Sequence, residues 1–284
     1  MLTVLEAIQL STTYLENKGV ESARTNAELL LADILNCKRL ELYLSFDKPL
    51  KENELDIYRE FIKKRGQRIP LQYILGYVDF YGYKFCVDHN VLIPRPETEL
   101  LVERIIEDIS GKDKLRMLDV GCGSGNISLV LANKLSQAEV LGIDISEAAL
   151  NNAEKNKNSF NFNGNVTFLK TDILHDNIEH LGKFDLVVSN PPYVSLNDFN
   201  ELEPELKNYE PRISLTDEHD GLTFYRRIIS LSKIMLNPKG RIYFEVGKDQ
   251  HTAISEMMLD TGFSNLKVIK DYSGIERIVC GELL

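Results

Sequence analysis

Apolar and polar positions alternate with helical spacing through the first part of the chain. One face of the first segment carries side chains at this spacing, namely Leu5, Ile8, Thr12 and Leu15. Gly19 closes that segment, and "ESARTNAELLLADILN", "KRLELYLSF" and "ENELDIYREFIKKRGQR" continue the helical pattern. The pattern predicts a small helical domain over residues 1–75. Such a bundle is either a structural cap or a module that docks the substrate, and we expect the docking role.

The pattern changes between residues 76 and 95. "YVDFYGYKFCVD" alternates aromatic and polar residues around Tyr81-Gly82-Tyr83, which predicts a β-hairpin. "VLIPRPETELLVE" then leads into a helix whose first turn suits Pro96. We therefore expect a hairpin linker over residues 76–95.

From residue 96 to residue 284 strand-like runs alternate with helical stretches. The strand candidates are "LRMLDVG", "AEVLGID", "VTFLKTD", "FDLVVSN" and "RIYFEVG", followed by "NLKVIKD" and "RIVCGEL". Alternation of this kind predicts an α/β domain with a mostly parallel sheet and helices on both faces. The short turn between the last two strands predicts an antiparallel pair, because a parallel crossover needs a dozen or more residues.

Composition narrows the class of protein. The 284 residues are 43% hydrophobic and 27% charged, with a net charge of -10, which argues against strong non-specific binding to nucleic acid. The four cysteines are scattered and form no Cys-x-x-Cys pair, so we expect reduced thiols. The acidic, amphipathic start differs from a signal peptide, and no stretch approaches the ~20 apolar residues of a membrane span. We expect a cytoplasmic protein.

A glycine-rich turn follows the first strand of the α/β domain. "LDVGCGSGNI" places glycines at 121, 123 and 125, where they allow close approach of the backbone to a ligand. The turn lacks the Gly-Lys-Ser/Thr ending of a phosphate-binding P-loop. Asn126 stands where a dinucleotide fingerprint needs its third glycine, so a dehydrogenase on a related fold is disfavoured. Asp119 at the strand end can instead meet a cationic group such as an ammonium.

Two further acids end the next two strands. Asp144 lies roughly 20 residues after the glycine turn, the spacing of an acid that binds both ribose hydroxyls. Asp172 ends the third strand, where its carboxylate can accept from an adenine amino group. Each acid alone suits a helix cap, but three acids and a glycine turn at successive strand ends predict one ligand crevice.

"SNPPYV", residues 189–194, follows a run that reads as a buried strand. Two successive prolines cannot donate hydrogen bonds, so they end the strand abruptly. Pro191 also holds Asn190 in an extended backbone. Folding alone does not require this loop, so we expect chemistry there.

These motifs together with several flanking segments resemble one family. The order Asp-x-Gly-x-Gly-x-Gly, acid, Asp and Asn-Pro-Pro-Tyr resembles class I S-adenosylmethionine-dependent methyltransferases that methylate amino groups. "QYILG", "LIPRPETE", "EPRISL", "DGLTFYRRI" and "FEVG" narrow the resemblance to the HemK/PrmC family. The segment 216–219, "TDEH", is more polar than that pattern suggests. The resemblance implies a Rossmann-like, seven-stranded sheet and methylation of the glutamine in the Gly-Gly-Gln motif of class I peptide chain release factors.

The resemblance also implies a set of site residues. The expected cofactor is S-adenosylmethionine, with S-adenosylhomocysteine as the product, and no metal is expected. The residues expected to bind this cofactor are Asp119, Gly121, Cys122, Gly123, Ser124, Gly125, Asp144, Asp172, Ile173 and Asn190. The substrate amide is expected at Asn190, Pro191, Pro192 and Tyr193, of which Asn190, Pro191 and Tyr193 would be catalytic.

Each residue of the loop has an expected role in methyl transfer. Asn190 and the Pro191 carbonyl would accept the two amide hydrogens, Pro192 would stiffen the loop, and Tyr193 would stack on the amide. Cys122 is expected to pack as a small apolar residue. We expect no general base among the five histidines, which read as surface or loop residues.

Three related activities fit the same loop. One is methylation of a release factor, the second methylation of a ribosomal-protein glutamine, and the third methylation of an adenine amino group, because the same loop can hold a flipped base. The acidic charge and the lack of a basic reading domain weigh against the third. We expect a monomer with a release factor as partner, and with neither DNA nor membrane.

Overall fold

The computed structural model describes residues 2–109, 114–159 and 164–284, and the chain divides into two compact units. The first unit comprises Met1–Tyr77 and Glu203–Tyr209. The second comprises Val78–Leu202 and Glu210–Leu284.

The first unit is built from helices. They are α1 (Val4–Asn17), α2 (Ala23–Ile34), a 3-10 helix (Arg39–Leu44), α3 (Glu52–Gly66) and α4 (Leu71–Leu75). Thr3 caps α1 through a reciprocal pair of hydrogen bonds with Glu6, and basic residues occupy the last turn of α3. The predicted helical character of this region is therefore confirmed.

The buried face of α1 differs from the face that the spacing suggested. It consists of Val4, Ala7, Ile8, Ser11 and Leu15. Leu5 and Thr12 are only partly buried, and the Thr12 hydroxyl donates to the carbonyl oxygen of Ile8 at 2.8 Å. Two overlapping sets of positions in this segment fit helical periodicity. Packing against α2 favours the set that begins at Val4.

The second unit carries the strands and all but one of the helices that follow them in the chain. A two-stranded sheet of β1 (Tyr77–Phe80) and β2 (Tyr83–Cys86) confirms the predicted hairpin. The large sheet contains β3 (Arg116–Val120), β4 (Glu139–Asp144), β5 (Asn165–Lys170), β6 (Phe184–Ser189), β7 (Leu236–Glu245), β8 (Phe263–Lys270) and β9 (Glu276–Leu283). The helices after the hairpin are α5 (Pro96–Ile109), α6 (Asn126–Lys134), α7 (Glu147–Ser159), α8 (Leu196–Phe199), α9 (Pro204–Tyr209), α10 (Arg212–Leu215), α11 (Thr223–Met235) and α12 (His251–Thr261), with a short 3-10 helix at Glu179–Leu181.

The seven-stranded sheet has the order β5-β4-β3-β6-β7-β9-β8. The first five strands in this order pair in parallel, whereas β9 pairs antiparallel with both β7 and β8. The predicted mostly parallel α/β fold and its antiparallel last pair are confirmed. β3 lies between β4 and β6, so the chain leaves β3 in one direction along the sheet and later returns on its other side. A crevice at the carboxyl ends of these strands is the usual ligand site of such a sheet.

Both faces of this sheet are buried. Neighbouring residues of one strand join different cores, because successive strand side chains point to opposite faces. Leu118 and Val187 belong to one apolar cluster, and Met117 and Val188 belong to the other. Among the helices of the described residues, none is long and apolar enough to span a membrane.

The helix α9 belongs to the first unit although it follows β6 in the chain. Arg65 Nη2 donates to Glu205 Oε1 at 2.8 Å, and both side chains are almost fully buried. The Tyr209 hydroxyl donates to the carbonyl oxygen of Gln67 at 2.7 Å. The sequence pattern did not indicate this return of the chain to the helical unit.

Candidate active site

A cleft of about 570 Å³ opens at the carboxyl ends of the central strands. The predicted site residues that line it are Gly121, Gly123, Asp144, Asp172, Ile173, Asn190, Pro191 and Pro192. The glycine turn, two of the strand-end acids and the start of the loop after β6 therefore share one cavity.

The glycine turn forms an open cradle on this cleft. Gly121 and Gly123 have φ angles of +75° and +53°, which residues with a Cβ atom rarely adopt. A Cβ built at either position meets no described atom within 4 Å, so the space beside the backbone is open. The Gly121 N–H donates to the carbonyl oxygen of Ile143 at 2.8 Å, which anchors the turn to β4.

In the part of the chain that the structure describes, the other residues of the glycine turn are buried beneath the cleft and do not line it. Asp119 is fully buried, and its Oδ2 accepts from the N–H and the hydroxyl of Ser128 at 3.1 and 2.6 Å. Burial raises the pKa of Asp119 to about 7 despite these hydrogen bonds. Its Oδ1 has no hydrogen-bond partner among the described atoms, so an acceptor beneath the turn is still unused.

Cys122, Ser124 and Gly125 are also buried. Burial raises the pKa of the Cys122 thiol well above its ordinary value, in keeping with an apolar packing role. A Cβ on Gly125 would lie 2.8 Å from Cζ of Phe168, so this glycine serves packing between α6 and β5. Contact of these three residues with a cofactor stays a prediction.

Asp144 joins the glycine turn to the start of α7. Its Oδ2 accepts from the N–H of Gly123 at 2.9 Å, and its Oδ1 accepts from the N–H of Ser146 at 2.9 Å. Burial raises the pKa of Asp144, and these backbone donors offset only part of the effect. The carboxylate is therefore held in one orientation at the cleft wall.

Asp172 also lines the cleft. Its Oδ1 accepts from the N–H of Leu174 at 2.9 Å, and its Oδ2 lies 2.9 Å from Nδ1 of His175. Burial alone would raise the pKa of Asp172, but the hydrogen bonds with His175 and Leu174 outweigh it and lower the pKa. His175 is exposed as expected for a loop histidine, yet it also lines the cleft, which the sequence did not indicate.

Asn190 is tied to two buried residues that the sequence did not single out. Its Nδ2 donates to the Thr98 hydroxyl oxygen at 3.3 Å, and that hydroxyl donates to Glu245 Oε2 at 2.6 Å. Thr98 lies in the first turn of α5, and Glu245 ends β7. A charged residue within the apolar run of "YFEVG" was a signal in the sequence for Glu245.

The loop after Asn190 is held from several directions. Gln250 Nε2 donates to the carbonyl oxygen of Tyr193 at 2.9 Å, and the Val194 N–H donates to the carbonyl oxygen of Leu215 at 2.9 Å. Gly221, with φ of +79°, lets the backbone pass this loop, because a Cβ there would lie 2.3 Å from the Tyr193 carbonyl oxygen.

The Tyr193 side chain packs against the apolar core. A Cβ built on Gly247 would lie 3.0 Å from the Tyr193 ring, and burial raises the pKa of the phenol. In the described structure the ring is not among the groups that line the cleft, so stacking on a substrate amide stays a prediction.

Most residues of the segment 211–218 also line the cleft. Arg95 Nη2 lies 2.6 and 2.7 Å from the two carboxylate oxygens of Glu210, which is almost fully buried. This pair connects "IPRPETE" with "EPRISL" and gives Arg95 a structural partner. Asp217, in the unusually polar "TDEH" segment, accepts from the backbone N–H groups of His219, Gly221 and Thr223 and so fixes that turn.

The polar groups in and beneath the cleft fit a nucleoside cofactor that carries an amino acid. Open glycine backbone, a fixed carboxylate at the second strand and an unused buried carboxylate oxygen suit sugar hydroxyls and an ammonium group. Among the described residues, no group of three or more His, Cys, Asp or Glu side chains could hold a metal ion.

The fold and this cleft define a methyltransferase. A family model described as a methyltransferase domain matches residues 111–256. The solved structure of a methyltransferase from Pyrococcus furiosus shares the fold, with a TM-score of 0.51, 19% identity, and coverage of 72% of this chain and 90% of that one.

Full-length relatives narrow the family. The release factor glutamine methyltransferase of Fusobacterium nucleatum is 39% identical over 97% of this chain and 77% of its own length. That of Geobacter sulfurreducens is 39% identical over 99% of this chain and 97% of its own length. A model of the PrmC N-terminal domain matches residues 6–76. The chain belongs to the release factor glutamine methyltransferase family, which confirms the resemblance.

Proposed function

We propose that this enzyme transfers a methyl group from S-adenosylmethionine to the side-chain amide nitrogen of the glutamine in the Gly-Gly-Gln motif of class I peptide chain release factors. Membership of the family supports the substrate. The observation that carries the chemistry is the orientation of Asn190, whose Nδ2 is bonded to Thr98 while the residue lines the cleft.

The loop would bind the substrate amide as two hydrogen-bond donors. A glutamine NH2 group offers two hydrogens, and Asn190 Oδ1 and the Pro191 carbonyl oxygen would each accept one. Pro192 has no N–H that competes for these acceptors, and it stiffens the loop. In this role Asn190 and Pro191 are catalytic residues, and Tyr193 would stack on the planar amide.

The reaction needs orientation more than acid–base chemistry. An amide nitrogen is a weak nucleophile because its lone pair is delocalised into the carbonyl. S-adenosylmethionine supplies a methyl group that the positive sulfonium already activates. Holding the nitrogen in one orientation can lower the barrier by ~7–11 kcal/mol, and the two acceptors would also stabilise positive charge on that nitrogen. The extra proton would leave to solvent, so we assign no general base.

Cofactor binding is proposed at the glycine turn and its acids. Gly121 and Gly123 would let the backbone approach the cofactor, Asp144 would accept from ribose hydroxyls, and Asp119 would attract the ammonium. Asp172 and Ile173 would contact the adenine. Cys122, Ser124 and Gly125 would shape the turn from behind.

The helical unit is proposed to dock the release factor. Its 3-10 helix presents Leu40 and Leu44 with 77% and 88% of their surface exposed, and two exposed leucines on this short helix supply an apolar surface for a protein partner. Replacement of Leu44 by Ser should raise KM for the intact release factor and leave cofactor affinity unchanged. An unchanged KM would remove this face from the proposal.

We also propose that the enzyme is a monomer in the cytoplasm. All four cysteines are free thiols, as expected in a reducing compartment. Light scattering after gel filtration would test the oligomeric state.

The substrate is tested directly with labelled S-adenosylmethionine. Purified class I release factor should gain one methyl group on the peptide that contains Gly-Gly-Gln, as located by peptide mass mapping. A release factor with that glutamine replaced by Glu should gain none. Label on ribosomal protein or on nucleic acid, with none on the release factor, would contradict the proposal.

A further inference from the structure

A buried chain of hydrogen bonds runs from the substrate loop into the protein. Asn190 Nδ2 donates to Thr98, and Thr98 donates to Glu245. Thr98 and Glu245 each expose only 2% of their surface. The register of β6 on β7 pairs Ser189 with Phe244, so Asn190, the residue that follows β6, comes directly after the residue paired with the neighbour of Glu245.

The donor count fixes the direction of this chain. A threonine hydroxyl has one hydrogen, and Thr98 gives it to Glu245 Oε2 at 2.6 Å. The Thr98 oxygen is therefore left as an acceptor and suits the NH2 end of the Asn190 carboxamide. The two ends of a carboxamide have nearly the same shape, so this hydrogen bond decides which end faces away from Thr98.

We propose that Thr98 and Glu245 are positioning residues, which turn the Asn190 carboxamide so that its oxygen is presented to the substrate NH2 group. The inference rests on the proposed role of Asn190. A carboxamide turned the other way would present its own NH2 group, which repels a second NH2 group.

The charges around Glu245 determine whether its carboxyl group is ionised, and only the ionised form is restricted to accepting hydrogen bonds. Arg277 from β9 and Arg95 before α5 favour its charged form, whereas Glu97 from α5 opposes it. Among the described residues the phenols of Tyr193 and Tyr225 also interact with it, and the Tyr225 hydroxyl donates to its backbone carbonyl oxygen at 2.8 Å.

Protonation of Glu245 would release the constraint. Burial raises the pKa of Glu245 to about 7 against the hydrogen bond from Thr98 and the charge of Arg277. A protonated Glu245 can donate to the Thr98 oxygen. The Thr98 hydrogen is then free to donate to Asn190 Oδ1, which stabilises the unproductive orientation.

Substitution of Thr98 tests the inference on the intact chain with release factor and S-adenosylmethionine. T98V keeps the shape but removes the hydroxyl, so the single-turnover methylation rate should fall by about 10- to 100-fold. T98S keeps the hydroxyl and should restore the rate to within about threefold of wild type. The dissociation constant of S-adenosylhomocysteine, measured by calorimetry, should stay within about twofold in both variants.

The pH dependence separates positioning from simple packing. The wild-type rate should rise with pH through about 7 as Glu245 loses its proton. E245Q has an amide that can donate to Thr98, so its rate, measured at saturating S-adenosylmethionine so that titration of Asp119 does not limit cofactor binding, should be low and independent of pH in that range. A rise that persists unchanged in E245Q would overturn the inference.

N190A, measured in parallel, distinguishes the two levels of the proposal. If N190A loses activity while T98V turns over like wild type, Asn190 binds substrate without help from Thr98 and the inference is wrong. If T98V and T98S are equally slow, the role of Thr98 is packing and the inference is again wrong. Full activity of N190A would overturn the proposed role of Asn190, on which the inference rests, whereas a wild-type enzyme that does not methylate the release factor would overturn the proposed function itself.

Discussion

Replacement of Asp144 by Ala tests the proposed cofactor site most sharply. The Asp144 carboxylate lines the cleft at the end of β4, and it already holds the N–H groups of Gly123 and Ser146 at 2.9 Å each. It would accept two further hydrogen bonds from the ribose hydroxyls. The substitution removes all four interactions while leaving the strand itself intact.

The expected loss of affinity follows from the two ribose hydrogen bonds. A hydrogen bond to a charged group contributes about 1.5–3 kcal/mol. The low end of that range applies, because the carboxylate is shared with two backbone donors. Two such bonds amount to about 3 kcal/mol, or roughly a 100-fold increase in the dissociation constant.

Isothermal titration calorimetry with S-adenosylhomocysteine measures this change without turnover. Glu147→Ala is a matched control, because it removes a nearby negative charge from an exposed side chain that pairs with Lys170 at 3.3 Å. The control should bind within about twofold of wild type. Unchanged affinity of the Asp144 variant would refute the assignment of the ribose to this carboxylate.

Further predictions concern the turn and the cleft wall. Gly123→Ala should lower the unfolding free energy by only ~1–2 kcal/mol, because its φ is positive, yet weaken S-adenosylhomocysteine binding more than ~10-fold, because the new methyl group fills the cradle; an unchanged dissociation constant would contradict this. The pKa of Asp119 is raised to about 7 from its ordinary 3.8, so the ligand-free protein should lose stability as the pH rises between these two values. This group alone contributes a slope of up to ~1.4 kcal/mol per pH unit. Asp119→Asn should reduce that slope, as measured by urea unfolding at pH 5 to 8. Arg95→Met should lower the unfolding free energy by ~3 kcal/mol, because it leaves Glu210 buried without its partner. The double variant that also carries Glu210→Leu should recover most of this loss. A double variant as unstable as the single one would show that the unpaired charge is not the cause.

The fold could be predicted from the sequence because its signals are local. Runs of apolar residues separated by helical stretches predicted the parallel strands, and the short turn before "RIVCGEL" predicted the antiparallel end of the sheet. Strand-end positions likewise predicted that Gly121, Gly123, Asp144 and Asn190 share one cleft, because parallel strands end at one edge.

The contacts that fix the site could not be predicted in this way. Thr98 and Asn190 lie 92 positions apart, and Arg95 and Glu210 lie 115 apart, so only tertiary packing brings them together. Local patterns also gave no reason for α9 to join the helical unit. A buried glutamate at the end of β7 was a detectable signal, because a charge in a strand core needs a partner, but the sequence did not name Thr98 as that partner.

The central claim concerns how the loop after β6 binds the substrate amide. A crystal structure of the enzyme with S-adenosylhomocysteine and its release factor measures this directly. We predict that the glutamine amide nitrogen lies about 2.7–3.2 Å from both Asn190 Oδ1 and the Pro191 carbonyl oxygen. A complex in which that nitrogen is bound by other groups, with Asn190 turned away from it, would contradict the account.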